Sequence, residues 1–139
     1  MGFAVKLDTN GSQPQVINNL LAEKLLDFIA MDIKAPLEKY KNIINTQVDP
    51  ESIKESISLI LEAKIPYEFR TTIVELQLEE NDILQIGKLI AGASKYVLQK
   101  FVPTKTLDKK FLKEKSFSDE KLQKIKSHLE QQIPTVTIR

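Results

Sequence analysis

Hydrophobic positions along the chain recur at two spacings in turn, about two residues and about 3.6, the signature of strands alternating with amphipathic helices. The first short-period run covers residues 3–7 and stops at Asn10-Gly11, a dipeptide suited to the positive backbone angles of a turn. Pro14 lies in the first turn of a helix whose stripe is Ile17, Leu20, Leu21 and Leu25. Residues 28–33 are almost continuously apolar up to Asp32, as in a strand covered on both faces, and Ala35-Pro36 ends them. Leu37, Tyr40, Ile43 and Ile44 line a short helix. Asp49-Pro50-Glu51 then supplies a cap, a first-turn proline and an acid matched to the helix dipole, opening a helix with Ile53, Ile57, Ile60 and Leu61 on one side.

Residues 67–74 form the third strand, and residues 80–92 the next helix, with Ile83, Ile86 and Ile90 inward and Gly92 at its end. A fourth strand spans residues 95–101. Ser118 caps a helix carrying Leu122, Ile125 and Leu129, and residues 135–138 make the last strand. This order predicts an α/β fold with a parallel sheet and right-handed crossovers. The polar stretch 101–118 is too long for an ordinary connection and is read as functional or mobile.

Composition narrows the function. At 139 residues with 42% hydrophobic positions, the chain suffices for a single domain over residues 1–139. Twenty Lys and Arg against nineteen Asp and Glu leave no field that recruits nucleic acid or an anionic membrane. Apolar runs fall far short of the ~20 residues that span a bilayer. The start of the chain has no cationic leader with an apolar core behind it, so a cytoplasmic protein is expected. The absence of Cys excludes a thiol nucleophile, a Cys-based zinc site and a cysteine-ligated iron–sulfur cluster within these residues.

Ligands of parallel α/β folds sit beyond the carboxyl ends of the strands, so polar residues there carry the functional signal. The first strand ends in Asp8-Thr9-Asn10, the second in Asp32-Ile33-Lys34, Arg70 interrupts the third and Gln99 the fourth. A spacing of two puts Asp32 and Lys34 on the same side of the sheet. Together these groups suit a zwitterionic, hydroxyl-rich ligand. The plainer alternative is that Asp8 and Asn10 shape a turn, Asp32 and Lys34 pair with each other, and Arg70 snorkels at an edge. No residue is assigned a catalytic role. His128, in the last helix, is read as a surface or packing residue. Residues 100–126 hold nine Lys against four acids, read as a solvated surface before a docking surface for an acidic partner.

Four segments carry a resemblance: Val5-Lys6-Leu7-Asp8-Thr9-Asn10-Gly11, Phe28-Ile29-Ala30-Met31-Asp32-Ile33-Lys34-Ala35-Pro36, Tyr67-Glu68-Phe69-Arg70-Thr71-Thr72 and Tyr96-Val97-Leu98-Gln99-Lys100-Phe101. In this order they resemble the radical S-adenosylmethionine activating enzymes, above all the activating protein of anaerobic ribonucleoside-triphosphate reductase and its relative, the pyruvate formate-lyase activating enzyme. The resemblance implies the later part of an incomplete (β/α) TIM-like barrel, starting at the family's third strand. The earlier part of that family holds a Cys-x3-Cys-x2-Cys loop for a four-iron four-sulfur cluster and a Gly-Gly-Glu segment, neither of which is in this sequence.

By that resemblance, Asp32, Lys34 and Arg70 bind S-adenosylmethionine, with Gln99 as the nearest polar group on the late strand, where the relative has a histidine. Asp8, Thr9 and Asp32 would hold a monovalent cation, although Ala30 stands where the relative contributes a methionine. The implied family reaction is reductive cleavage of S-adenosylmethionine to generate a glycyl radical on a reductase or lyase partner. Lacking thiolates, this chain is expected to be inactive alone and to need the cluster-binding segment or a second chain. The alternative is a non-catalytic α/β module that binds a nucleotide-like ligand or a protein. A barrel cut before its first strand here exposes that strand's edge, so self-association through residues 3–7, or coverage of that edge by rearranged terminal segments, is expected.

Overall fold

In the computed structural model, residues 2–44, 48–102 and 116–139 are described. Five strands, β1 Lys6–Thr9, β2 Phe28–Asp32, β3 Tyr67–Ile73, β4 Lys95–Lys100 and β5 Thr135–Ile138, form one parallel sheet in the order β1-β2-β3-β4-β5. Between them run α1 Pro14–Ala22, a 3-10 turn at Leu37–Lys39, α2 Tyr40–Ile44, α3 Pro50–Leu61, α4 Glu80–Leu89 and α5 Asp119–Leu129. The α/β fold with a parallel sheet is as the periodicity predicts. The sheet is open, with β1 and β5 at its edges.

One face of the sheet holds the core. Ile29, Met31 and Ile33, Phe69 and Ile73, and Tyr96 and Leu98 point to it and pack with Ile17, Ile53, Ile57, Ile60, Ile83, Ile86, Ile90, Leu122, Ile125 and Leu129 from the helices. Each fully buried side chain of this kind contributes about 1.5–3 kcal/mol. The helix starts are those the sequence marks. Asp49 accepts from the Glu51 amide at the head of α3, and Ser118 accepts from the Lys121 amide at the head of α5. Among the described residues the alternate positions of each strand face away from the helices, yet the middle of β2 is covered on both faces, as its apolar run predicts. Ala30 and Val97, on the far face, are fully buried but lie outside the helix-side core.

The strands β2, β3 and β4 each end one residue before the sequence reading and α4 ends at Leu89 rather than 92, while the first strand and the end of α1 differ more in kind. The first strand is Lys6–Thr9, not residues 3–7. A strand exists only where a partner supplies the ladder, and β2 begins at Phe28, opposite Lys6. Val5 joins the sheet at its margin, its amide donating to Asp27 Oδ2 at 2.6 Å and its carbonyl accepting from the Asp27 amide at 2.8 Å, while Phe3 is left 92% exposed. Leu25 does not continue the stripe of α1. Lys24 takes a left-handed conformation, φ 56°, and its amide and that of Leu25 close onto the carbonyls of Leu21 and Leu20, a Schellman ending. Leu26 is buried instead and Leu25 is half-exposed. Most of the long connection, residues 103–115, lies outside the described residues, as does most of the lysine-rich segment's first half.

Candidate functional site

Among the described residues, the face of the sheet turned away from the helices is mainly polar. Strand register places Asp8, Ala30 and Glu68 in one row, Asp32, Arg70, Val97 and Thr137 in the next, and Thr72 beside Gln99 beyond them. Arg70 is the centre of this face. Its Nε donates to Asp32 Oδ1 at 2.9 Å, and its terminal nitrogen lies 3.2 Å from Asp8 Oδ1. Neighbouring strands are about 4.8 Å apart, so the contact with Asp8 requires the Arg70 side chain to cross the whole of β2. The small Ala30, between Asp8 and Glu68 in register, leaves the space for that crossing. Lys6 adds a looser pair with Asp8, at 3.6 Å.

A second charged cluster lies on the same face toward β5. Arg139 donates to both oxygens of Glu68, at 3.0 and 3.1 Å, and Lys95 lies 3.4 Å from Glu68. Burial alone would raise the Glu68 pKa, but the hydrogen bonds and charges of Arg139 and Lys95 outweigh it and hold the carboxyl below its ordinary value. Glu68 is thus a buried anion with two cationic partners. The bidentate fork with Arg139 is the stronger of the two contacts.

The loops beyond β1 and β2 are fixed by specific hydrogen bonds. Thr9 Oγ1 accepts from the Gly11 amide at 3.1 Å, and Asn10 Oδ1 accepts from the Ser12 amide at 2.9 Å. Gly11 has φ 75° and is buried, and a Cβ there would fall on Met31 Cε, the end of a side chain that would have to move aside. The buried Ser56 Oγ on α3 donates to the Gly11 carbonyl at 2.7 Å. After β2, the Lys34 amide donates to Tyr40 Oη at 2.9 Å and Thr71 Oγ1 donates to the Ile33 carbonyl at 2.8 Å.

Of the residues singled out from sequence, Asp8, Asp32 and Arg70 are in direct contact. Lys34 is exposed just beyond them and makes no ion pair among the described residues, so Asp32 pairs with Arg70 and not with Lys34. Arg70, with a side chain only 14% exposed, is central and not a snorkelling edge residue. Gln99 lies on the same face and accepts from Thr72 Oγ1 at 3.3 Å. Thr9 falls opposite Met31 in register, on the helix side, and its hydroxyl serves the turn. Among the described residues no group of three or more His, Cys, Asp or Glu side chains is arranged to hold a metal ion. No helix among them is long and apolar enough to cross a membrane.

Sequence reasoning missed Glu68, Lys95 and Arg139. The spacing of two that links Asp32 to Lys34 also puts Glu68 on the side of Arg70, a signal present in Tyr67-Glu68-Phe69-Arg70. Nothing local marks Arg139, whose partner lies 71 positions away.

Comparison with known proteins gives these arrangements a context. No family model matches the chain. A protein of Methanocaldococcus jannaschii named "Putative glycyl-radical enzyme activating enzyme" is 34% identical over 142 aligned positions, which cover 99% of this chain and 59% of that protein. The chain thus spans about three-fifths of the length of this curated relative. The crystal structure of a domain of pyruvate-formate lyase-activating enzyme from Bacteroides vulgatus matches with a TM-score of 0.75, at 17% identity, over 99% of this chain and 82% of that one. The likeness in structure shows the fold, and the likeness in sequence extends along nearly the whole chain: it is a homologue of a protein named as a glycyl-radical enzyme activating enzyme, with the fold of a pyruvate-formate lyase-activating enzyme domain.

Proposed function

We infer that the open polar face is one part of an S-adenosylmethionine site, in the portion of a glycyl-radical-enzyme activating protein that binds and orients the cofactor. The observation that carries this is the Asp8–Arg70–Asp32 bridge, which joins three strands on the open face, level with the carboxyl end of β2, the side on which α/β folds bind ligands. Asp32 offers a carboxylate, one-third exposed, to the hydroxyls of a sugar, and Arg70 fixes its direction. Lys34, exposed beyond it, offers a cation to a carboxylate, and Gln99 an amide to the edge of a base. These donors and acceptors fit a ligand with a sugar, a base and a zwitterionic tail. A monovalent cation at Asp8 and Asp32 would have to share both carboxylates with Arg70, and the guanidinium is the better counterion for them as they stand.

In the family reaction a four-iron four-sulfur cluster supplies the electron, S-adenosylmethionine the hydrogen-abstracting group, and a glycyl radical enzyme the substrate glycine. These 139 residues contain no Cys, so thiolate ligands for a cluster must come from other polypeptide, and the chain by itself is proposed to lack activating activity. Its own part is to bind and to orient, while the cofactor carries the difficult chemistry.

Isothermal titration with S-adenosylmethionine tests the reading. Saturable binding that is lost in Asp32→Asn and Arg70→Ala is expected, and no saturable heat with the folded chain overturns it in favour of a module without this ligand. Mixing with a Cys-x3-Cys-x2-Cys segment under anaerobic conditions should then give a brown complex that activates a glycyl radical enzyme.

A further inference from the structure

One peptide group, between Ile33 and Lys34, is gripped on both sides by buried hydroxyls. Its carbonyl accepts from Thr71 Oγ1 at 2.8 Å, and Thr71 Oγ1 in turn accepts from Tyr96 Oη at 2.6 Å. Its N–H donates to Tyr40 Oη at 2.9 Å. The three hydroxyl-bearing residues come from α2, β3 and β4 and are each no more than 1% exposed. The Ile33 amide donates to the Arg70 carbonyl at 2.8 Å, so the backbone on the strand side is also fixed. This peptide lies between Asp32, on the Arg70 guanidinium, and Lys34, beyond the last residue of β2.

A core at this place has no need of tyrosines. Phe would fill nearly the same volume at positions 40 and 96 without a hydroxyl to desolvate. The hydroxyls converge instead on the single peptide whose rotation would swing Asp32 and Lys34 relative to each other. Burial pushes the Tyr40 hydroxyl up to about 12, the Lys34 amide opposing and the Asp32 charge adding to the shift, and burial raises Tyr96 as well. Both therefore keep their protons across the physiological range, and the grip does not titrate.

We propose that Tyr40, together with the Tyr96–Thr71 pair, is a positioning device that sets the Ile33–Lys34 peptide and thereby aims Asp32 and Lys34 at a common ligand. It acts through other residues and touches no reacting atom. The proposal rests on the reading of Asp32 and Lys34 as ligand-binding groups.

The test compares Tyr40→Phe with Ile125→Val, a core truncation in α5 remote from the peptide, by amide hydrogen exchange and by titration with S-adenosylmethionine. In the unaltered chain the Lys34 amide should be protected although it lies outside β2. In Tyr40→Phe its protection should fall about tenfold, and affinity should fall about three- to tenfold, as expected for one lost hydrogen bond. Ile125→Val should lower thermal stability and leave both readings unchanged. A freely exchanging Lys34 amide in the unaltered chain overturns the proposal even if Tyr40→Phe does not fold. Normal binding by the unaltered chain with undiminished affinity in Tyr40→Phe, or an equal loss in Ile125→Val, overturns the positioning role alone. No binding by the unaltered, folded chain overturns the ligand reading and the positioning role together.

Discussion

The two faces of the five-stranded sheet are built from alternate residues of the same strands and have opposite chemistry. Toward the helices, β2 and β3 present Ile29, Met31, Phe69 and Ile73, all fully buried in the helix-side core. Away from the helices the same two strands present Asp32, Glu68 and Arg70, each bound to a charged partner. The helix side derives its stability from apolar area removed from water, which requires no particular partner. The open side carries polar groups that are tolerable only because each has a partner in a fixed place, and such fixed, partly exposed groups are what a ligand can use. Apolar burial and fixed charge are thereby separated by one residue along each strand.

Truncation on the helix side should give the largest effect. Phe69→Ala, at a fully buried position, should cost about 3–5 kcal/mol in urea denaturation. A loss below about 1 kcal/mol would erase the contrast between the faces. Gly11→Ala tests the point where the two sides meet, since the loop that follows Asp8 packs onto Met31. The positive φ opposes a methyl group and the end of Met31 would have to move aside, and a loss of about 1–2 kcal/mol is expected.

On the open face the effects should be smaller than at Phe69 and depend on pH and salt. The Glu68 carboxyl titrates below its ordinary value near 4.5 in the folded chain. Its contribution is therefore complete above that ordinary value and is lost as pH falls through the lower, folded one. Glu68→Gln should cost about 1–2 kcal/mol at neutral pH and flatten the acid limb of the stability profile, because its two cations are partly exposed and can regain water. Superimposable acid limbs in the two proteins would remove Glu68 as their origin. Asp8→Asn should be nearly neutral, within about 0.5 kcal/mol and less at high salt, since the carboxylate is 60% exposed. The same change should nevertheless weaken S-adenosylmethionine binding, measured by titration. Equal small effects on stability and on binding would show that the bridge to Arg70 serves neither.

The helix starts at Asp49 and Ser118 and the helix-side stripes were legible because each depends on neighbours within a few residues. The margin of β1 and the end of α1 were not. Phe3 and Val5 have the spacing of a strand, but only the start of β2 decides where pairing begins, and Lys24 ends α1 through a backbone conformation that its residue type does not announce.

The amino-acid sequence by itself determined the alternation of strands and helices, the balance of charge, the absence of thiolates, and the placing of Asp8 and Asp32 near strand ends and of Arg70 within the third strand, because all of these follow from residue type and local spacing. Tertiary structure alone decided that Arg70 crosses β2 to reach Asp8, that Glu68 takes Arg139 and Lys95 as partners, and that Tyr40 and Thr71 hold one peptide from both sides. Apart from Tyr40 on the Lys34 amide six positions away, those contacts join groups 27 to 71 positions apart, and strand order and register are set by packing of the whole sheet and not by any stretch of its sequence.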